Sequence, residues 1–406
     1  MQTRLLDFNA LAESSTQWNE LWQRSPTHNP AVRAEPLAAW LDSFATRAAL
    51  RAIVVEADGR FVAALPLVLG FTKRARHGSR LIARLPNNHW GCCGDLLVDP
   101  EADLSVLARH LVEGIRDLGP TILYGESLLT LSARWQALAA ELAVAHFAVE
   151  VRDQWRVGLV DIGPDWKGYH ASRSRNHRRK LTVCFDRLKE AGGGQLQLYD
   201  RLAPEEVVPL VRRGFEVEQR SWKSTSGRAV MHEPRALEFY SRLMTALAAG
   251  GYARLSFLEV AGQPAAFEYG FAAKGVYFCP KVGYDEAFAA LSPGQLIRAM
   301  LFERFAAEGT YRLVDFSGPL VDATSKWATR DQYVGRLLAG RGLLGQAVTT
   351  AFRTARSLYR RARRRPDRVF GDEIEIRPGP GVKAARPQRV DNQPGEPATV
   401  TPIAGD

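Results

Sequence analysis

The chain has 406 residues, of which 46% are hydrophobic and 24% charged, an ordinary balance for a globular protein of two to three domains. The formal net charge of +10 favours an anionic partner without naming one. The apolar stretch at 61–71 is far shorter than the ~20 residues of a membrane-spanning helix, which indicates a core segment. The N-terminal residues lack the pattern of a secretory signal, so we expect a cytoplasmic protein.

The four cysteines are too few for a disulfide framework. Cys92 and Cys93 are adjacent, a spacing that suits neither a CxxC redox pair nor a zinc knuckle. Cys184 and Cys279 lie among apolar residues and are expected to be core thiols. Because no His, Asp and Glu residues have the spacing of metal ligands, we expect no metal site.

The first third of the chain alternates between helical and extended patterns. Leu11, Trp18 and Leu21 predict a helix that ends before Pro26, and a second helix follows over 35–48. Two β-rich runs then flank an Asp-Gly pair, which predicts a hairpin because this dipeptide tolerates positive φ values. The pattern continues to about residue 150 with a strand at 80–86, a strand at 93–99, a helix at 101–117 and a strand at 121–127.

The second half begins with a short helix and a long one, whose buried side is Leu181, Phe185 and Leu188 and whose end is a run of three glycines. A strand, a helix, a polar loop and another helix precede three consecutive antiparallel strands. A helix at 293–308, a strand and a loop ending in TSKW complete the half. This plan occurs twice with loose similarity, which predicts two related α/β domains with mixed sheets.

The C-terminal segment differs from both halves. Residues 341–370 predict a basic amphipathic helix with Leu344, Val348, Phe352 and Leu358 roughly on one side. From residue 371 the composition turns to proline and glycine, and we expect residues 371–406 to be disordered.

The stretch ALSPGQLIRAM at 290–300 carries the signature of a helix start. Ser292 is expected to be the N-cap, Pro293 the first helical residue and Gln295 the capping-box partner. Gly294 has no side chain, so it leaves backbone amides open to a pyrophosphate group. The motif alone favours the purely structural interpretation, because capping boxes are common and the glycine-rich pattern of a nucleotide fingerprint is missing.

The order of the motifs resembles a known family. The motifs are YHASRSRNHRRKLTVCFDRLKEAGG, EVEQRSWKSTSG, FLEVAGQPAAFEYGF, YFCPKVGYDEAFAALSPGQLI and VDFSGPLVDATSKW, together with DGRFVAALPLVL and GCCGDLLVDP in the first half. In this order they resemble the acetyltransferase family of cellulose-biosynthesis type (CelD/BcsL-like), a branch of the GNAT superfamily related to the FemAB aminoacyl ligases. The resemblance covers residues 10 to 335.

The resemblance implies a tandem of GNAT-like domains, 1–150 and 151–340, each a mixed, mostly antiparallel sheet flanked by helices. It also implies an acyl-CoA donor, with acetyl-CoA as the first choice. The residues that would then bind the donor's pyrophosphate are Ser292, Gly294, Gln295 and Leu296. The chain lacks the Gln/Arg-x-x-Gly-x-Gly loop of typical GNAT enzymes, which leaves the identity of the donor open.

Acyl transfer needs a group that takes the acceptor's proton and donors that stabilise the oxyanion. Strand alternation in AAFEYGF places Glu268 on the face opposite Phe267 and Tyr269. A buried Glu268 is a candidate base, although pairing with an arginine of the helix or exposure to solvent is equally compatible with the pattern. Tyr284 is a candidate acid toward the leaving thiolate or a packing residue. Asp315 recurs in the resembling motifs and is a candidate for orienting the acceptor.

Several residues are candidates for substrate binding. Lys326 recurs in the resembling motifs and would help to neutralise phosphate, and Trp222 with Lys223 would form a sugar or acyl platform; each is equally explained as a surface residue around a folded loop. The basic run at 172–181 forms one side of an amphipathic helix. Because the resembling family has a basic helix at the start of its transferase domain, Arg175 and Arg179 are expected to hold an anionic acceptor or part of the donor, the alternative being a solvated surface.

The sequence therefore predicts an acyltransferase that moves an acetyl group from acetyl-CoA to a sugar hydroxyl or an amine of a polysaccharide or glycolipid precursor. The basic C-terminal helix would dock on an anionic membrane, so the expected location is cytoplasmic or peripheral at the inner membrane face. Nucleic acid is not an expected partner, because no binding module is recognised and no aromatic residues alternate with the arginines. Two alternatives stay open, namely a FemAB-like ligase that uses charged tRNA and a non-catalytic glycan-binding protein on the same scaffold.

Overall fold

The computed structural model describes residues 1–70 and 81–363 of the chain. Within these residues the strands form one sheet, and helices cover both of its faces. The predicted disordered segment at 371–406 and the predicted end of the basic helix beyond Arg363 lie outside the described residues.

The strands are β1 (Gln2–Leu6), β2 (Leu50–Ala57), β3 (Arg60–Leu69), β4 (Ile82–Arg84), β5 (Leu97–Val98), β6 (Ile122–Leu128), β7 (Ala148–Asp161), β8 (Gln195–Tyr199), β9 (Ala253–Val260), β10 (Gln263–Ala273), β11 (Val276–Tyr284), β12 (Leu313–Pro319) and β13 (Arg330–Gly340). The helices are α1 (Phe8–Glu13), α2 (Ser15–Arg24), α3 (Ala34–Phe44), α4 (Leu104–Leu118), α5 (Ala133–Val144), α6 (Trp166–Ser172), α7 (Arg175–Glu190), α8 (Pro204–Gln219), α9 (Trp222–Thr225), α10 (Pro234–Ala249), α11 (Pro293–Glu308), α12 (Asp322–Ser325) and α13 (Gly342–Arg363).

Several local predictions are confirmed. The β2–β3 hairpin turns at Asp58 and Gly59, both of which have positive φ angles, 50° and 73°. The strands β9, β10 and β11 pair as consecutive antiparallel neighbours. In α7, Leu181 and Leu188 are buried and Phe185 packs beside them. The first predicted helix is instead two helices, because the chain breaks at Ser14 between α1 and α2.

The strand order joins the two halves of the chain. The sheet runs β1-β2-β3-β4-β6-β13-β7-β12-β11-β10-β9-β8, with β5 on β3. Strand β13 therefore lies between β6 and β7 and pairs with both along most of its length. A boundary after residue 150 falls inside β7, so the division into 1–150 and 151–340 stays a prediction about folding units.

The two halves repeat one arrangement. In the first, β4 runs parallel to β6, and in the second, β11 runs parallel to β12, while most other pairs are antiparallel. Shortly after the parallel segment, β6 and β12 each contain a serine with a positive φ angle, Ser127 (61°) and Ser317 (53°). A non-glycine residue in this region is uncommon, so its recurrence at matching places supports the predicted internal repeat.

The sheet has two faces, which we call face I and face II. Face I carries a large apolar cluster to which strand residues such as Ala64 and Phe267 and helices α2, α3, α8 and α10 contribute. Face II carries two clusters, one beneath α4 and α5 and the other beneath α7 and α11. Because the face I cluster contains residues of both halves, the halves are packed against each other through a shared core.

Lys274, in the turn between β10 and β11, links the second half to the end of α2. Its ammonium donates to the carbonyl oxygens of Trp22, Ser25 and Thr27, all within 2.9 Å, and lies 4.5 Å from the centre of the Trp22 ring. The last carbonyls of a helix lack partners within the helix and carry partial negative charge, so a cation stabilises them.

Replacing Lys274 by methionine is expected to lower the free energy of unfolding by about 2–3 kcal/mol, because buried carbonyls lose their donor. Denaturant unfolding of the full chain measures the change. Lys189→Met, at an exposed position on α7, is the control and should change stability by less than about 0.5 kcal/mol. Equal midpoints for the two variants would show that Lys274 does not hold the halves together.

Candidate functional site

An opening in the sheet lies between β11 and β12. The two strands pair in parallel only from Val276 with Leu313 to Phe278 with Asp315. Beyond that point β11 continues along β10, whereas the register of β12 with β7 becomes irregular after Asp315. Within the described residues, the strand edges that face each other past Phe278 therefore have no sheet partners, and we call the space between them the cleft.

A β-bulge shapes the β11 side of the cleft. Phe271 pairs with Phe278 but Tyr269 pairs with Lys281, so β11 has two residues opposite Gly270. A side chain at Gly270 would lie 2.4 Å from the Tyr277 hydroxyl, which explains why this position is glycine. The extra residue reverses the alternation of β11, and Lys281 consequently points to face I with Tyr269.

The end of β11 leads through a short turn into α11, which begins at Pro293 as predicted. The predicted capping box is wrong, because Ser292 has a left-handed backbone (φ 55°) and its side chain caps no amide. The Gln295 side chain instead accepts a hydrogen bond from Nε1 of Trp327 at 2.8 Å. In the described part of the chain, no atom beyond the neighbouring residues lies within 4 Å of the position that a Cβ at Gly294 would take. Among the described residues, no group accepts a hydrogen bond from the Gly294 N–H.

The corresponding helix of the first half is closed to an anion. The N-cap of α4 is Asp103, whose carboxylate accepts hydrogen bonds from the N–H groups of Ser105 and Val106 at 2.7 and 3.3 Å. A carboxylate already occupies the positive end of that helix. Of these two matched helices, only α11 therefore offers an open N-terminus.

The basic run identified in the sequence lies beside the start of α11. His177, in the first turn of α7, is 4% exposed and packs edge-on against Trp327 at 4.6 Å between ring centres. Burial, followed by the positive charge of Lys326, lowers the pKa of His177 to about 4. Arg175 and Arg179 lie on the exposed side of α7, and Lys326 forms an ion pair with Asp322.

Of the three candidate catalytic residues, Glu268, Tyr284 and Asp315, only Asp315 points to face I. Gln332 from β13 lies beside it. One carboxylate oxygen accepts from the Ser317 N–H at 2.6 Å and the other from Nε2 of Gln332 at 3.4 Å. Burial raises the pKa of Asp315 to about 6, against the smaller lowering effects of Ser317 and Arg330. A carboxylate with this pKa can accept a proton near neutral pH.

Glu268 lies on face II beneath α11 and is 1% exposed. One of its oxygens accepts from the Tyr277 hydroxyl at 2.9 Å, and Nη2 of Arg298 is 3.9 Å from the other. The alternation predicted for this strand is confirmed, since Phe267 and Tyr269 belong to the face I cluster. The arrangement matches the alternative interpretation, in which Glu268 pairs with an arginine of the helix.

The remaining candidates lie apart from Asp315. Tyr284 packs with the face II cluster, and burial followed by the nearby Glu286 raises its pKa. Trp222 is 46% exposed at the start of α9. The Lys223 ammonium is already bound to the carboxylate of Glu218 and the carbonyl of Val282, both at 2.7 Å.

The sequence analysis did not identify Lys281 or the aromatic residues Trp90 and Tyr240 that surround its ammonium. Pro280, in the middle of a strand-like run, was the one available signal, because proline inside a strand often marks a bulge.

Comparison with known proteins finds a similarity to a known domain family in the second half of the chain. Residues 175–325 match the family model of the acetyltransferase (GNAT) domain. None of the curated protein sequences matches the chain significantly. The matched residues include the cleft, Asp315 and the start of α11.

Solved structures extend the similarity in fold to both halves. FemX is 10% identical, covers 83% of this chain and 97% of its own, and superposes with a TM-score of 0.56. A conserved protein of unknown function from Bacteroides thetaiotaomicron VPI-5482 is 13% identical, with 82% and 97% coverage and a TM-score of 0.51. The predicted fold class, a mixed and mostly antiparallel sheet of GNAT type flanked by helices, is confirmed.

Proposed function

We propose that the protein transfers an acetyl group from acetyl-CoA to a sugar hydroxyl or an amine of a polysaccharide or glycolipid precursor. The observation that carries the proposal is the cleft, with the half-buried Asp315 at its start and with one strand, β11, leading into the open N-terminus of α11. The narrower assignment to the cellulose-biosynthesis type of acetyltransferase is part of the same proposal.

The donor would bind at the start of α11, through Ser292, Gly294, Gln295 and Leu296. The amides of Gln295 and Leu296 share the Ser292 carbonyl, at 2.8 and 3.3 Å, so the Gly294 N–H is the most available donor toward a pyrophosphate oxygen. Three cations are proposed to complement the phosphate charge of the donor, or that of an anionic acceptor: Arg175, Arg179 and Lys326.

In the proposed reaction the acceptor attacks the thioester carbonyl directly. Asp315 takes the proton of the attacking hydroxyl or amine, and the carbonyl carbon exchanges its bond to sulfur for a bond to the acceptor. Tyr284 is the proposed acid toward the leaving thiolate, since its raised pKa keeps the hydroxyl protonated. Trp222 supplies an exposed ring for an acceptor sugar, and Glu268 supports α11 through Arg298.

An acceptor screen with labelled acetyl-CoA tests the proposal. Transfer of label to a sugar or amine, unaffected by ribonuclease, is the expected result. Transfer that requires charged tRNA would favour the ligase alternative, which the basic net charge also suits. Glycan binding without any transfer would favour the non-catalytic alternative.

The apolar side of α13 is proposed to dock the enzyme on an anionic membrane. Gly345 and Thr349 face the sheet, whereas Leu343, Leu344 and Val348 are exposed. The Leu358 side chain lies outside the described residues. No helix in the described part of the chain is long and apolar enough to cross a bilayer. An exposed apolar side followed by an arginine-rich sequence suits a helix that lies on a lipid surface.

Replacing Leu343, Leu344 and Val348 together by serine is expected to reduce sedimentation with vesicles that contain anionic lipid by at least about tenfold, because one fully buried apolar side chain already contributes roughly 1.5–3 kcal/mol. Neutral vesicles should bind neither protein. Leu131→Ser, at a loop residue that is 70% exposed, is the control for loss of surface hydrophobicity. Undiminished sedimentation of the triple variant would exclude α13 as the membrane contact.

A further inference from the structure

Lys281 is a half-buried cation between two aromatic rings. Its Nζ atom is 5.3 Å from the centre of the Trp90 ring and 5.5 Å from that of Tyr240. Among the described residues no carboxylate, carbonyl or hydroxyl accepts a hydrogen bond from this ammonium. Aromatic rings attract a cation but do not accept hydrogen bonds from its N–H groups. The three N–H groups of Lys281 are therefore available to a ligand with acceptor oxygens.

The neighbouring carboxylate of Glu218 already accepts hydrogen bonds from two other groups. One oxygen of Glu218 accepts a hydrogen bond from the Lys223 ammonium at 2.7 Å, and the other accepts from the N–H of Val230 at 3.0 Å. Burial, followed by repulsion from Lys223, lowers the pKa of Lys281 to about 8. The titratable groups on the facing loop and helix include His89, whose pKa is lowered by burial and then by Lys281, and Glu233, at the N-cap of α10. Among these neighbours, Glu218 and Glu233 balance the charges of Lys223 and Lys281, but neither carboxylate accepts a hydrogen bond from the Lys281 ammonium.

The loop that carries Trp90 is held firmly against the second half. The Tyr240 hydroxyl donates to the Trp90 carbonyl at 2.6 Å, and a side chain at Gly91 would lie 2.4 Å from the Phe239 ring. Within the loop, the Asn88 carboxamide accepts from the N–H groups of Trp90 and Gly91 at 2.9 and 3.0 Å. The site therefore exists before any ligand arrives, which reduces the entropy cost of binding.

The position of this site relates it to the cleft. Lys281 stands on the β11 side of the cleft and Asp315 on the β12 side, and the bulge directs Lys281 to the same face as Asp315. A group held by Lys281 is consequently on the side from which Asp315 would take a proton.

We propose that Lys281, with Trp90 and Tyr240, binds a carboxylate or phosphate group of the acceptor, which makes the preferred acceptor an acidic or phosphorylated sugar. This inference rests on the proposed acyl transfer only in identifying the bound anion as part of the acceptor. The anion site itself does not require acyl transfer. The ammonium provides the charge, and the rings exclude water from one side of the contact.

The test uses full-length protein with isotope-labelled lysine side chains and follows the Lys281 signal by NMR. Lys281→Arg identifies the signal by its disappearance, and the exposed Lys189 is the internal control. Inorganic phosphate and glucuronate at about 10 mM, enough to populate a millimolar site, are expected to shift the Lys281 signal saturably and raise its pKa. Glucose should leave it unchanged. A Lys281 signal that does not move, or moves only as the Lys189 signal does, would overturn the proposal.

Two arms separate the sources of the anion. A response to phosphate alone indicates a phosphorylated sugar, and a response to glucuronate indicates a uronic acid. Once an acceptor is found, Lys281→Met should raise its KM about tenfold or more, a loss of roughly 1.4 kcal/mol, while Lys281→Arg retains most of the affinity. If acetyl-CoA fails to bind, acyl transfer fails and the anion site still stands on the NMR result; if acetyl-CoA binds and neither anion does, this inference alone fails.

Discussion

Asparagine in place of Asp315 is expected to lower the rate of acyl transfer by about 10²–10⁴-fold, the usual contribution of a general base. The amide keeps the shape of the carboxylate and can still accept the Ser317 N–H, but it cannot take a proton. Initial rates at saturating acetyl-CoA measure the effect, and Asp186→Asn on the exposed side of α7 should retain full activity.

The raised pKa of Asp315 also predicts the direction in which activity and stability change with pH. The kcat/KM of the wild type should fall as the pH drops through about 6, because protonated Asp315 cannot act as a base. The same raised pKa means that, between its unfolded value and about 6, the folded protein holds a proton that the unfolded chain has released. Stability contributed by this group therefore falls as the pH rises through that window. Asp315→Asn should be at least as stable as the wild type at pH 8.

That stability measurement separates catalysis from folding. An inactive Asn variant with an unchanged unfolding midpoint has lost chemistry alone. Retention of both the rate and the acidic limb of the pH profile in Asp315→Asn would assign the proton transfer to another group.

Glutamate in place of Gly294 is expected to weaken acetyl-CoA binding about 100-fold or more, the equivalent of at least 2.7 kcal/mol. Nothing lies within 4 Å of the position that its Cβ would take, so the side chain fits without disturbing α11. Its carboxylate would sit at the positive end of the helix and repel the pyrophosphate proposed to bind there. Calorimetric titration with acetyl-CoA measures the change.

Gly294→Ala is the matched control for this experiment. It adds the Cβ without charge at the second residue of α11, so it should preserve binding and raise stability by up to about 1 kcal/mol. Equal affinity for the wild type and Gly294→Glu would move the donor away from α11. A wild type that does not bind acetyl-CoA would favour the tRNA-dependent or the non-catalytic alternative.

Local patterns predicted the elements that carry the proposed donor site. Pro293 marks the start of α11, and period-two alternation assigned Glu268 and Tyr269 to opposite faces, because both properties depend on a few neighbouring residues. The predicted capping box at Ser292 was wrong for a non-local reason: the Gln295 side chain accepts a hydrogen bond from the indole of Trp327, 32 residues away.

The proposed acceptor site around Lys281 could not be predicted from local sequence patterns. Lys281 reaches face I only because a bulge shifts the register of β11, and Trp90 comes from the other half of the chain. The strands β7 and β13, likewise, pair across some 170 residues of sequence, a contact that no local pattern encodes.

The place of β13 has a consequence for synthesis of the chain. The edges of β6 and β7 that face β13 both remain unpaired until residues 330–340 have left the ribosome, after every other strand of the described sheet has emerged. Exposed strand edges invite pairing with other chains. A nascent or truncated product that stops before Arg330 is therefore left with two such edges in the middle of its sheet, and the cell must protect it until the final strand closes the gap.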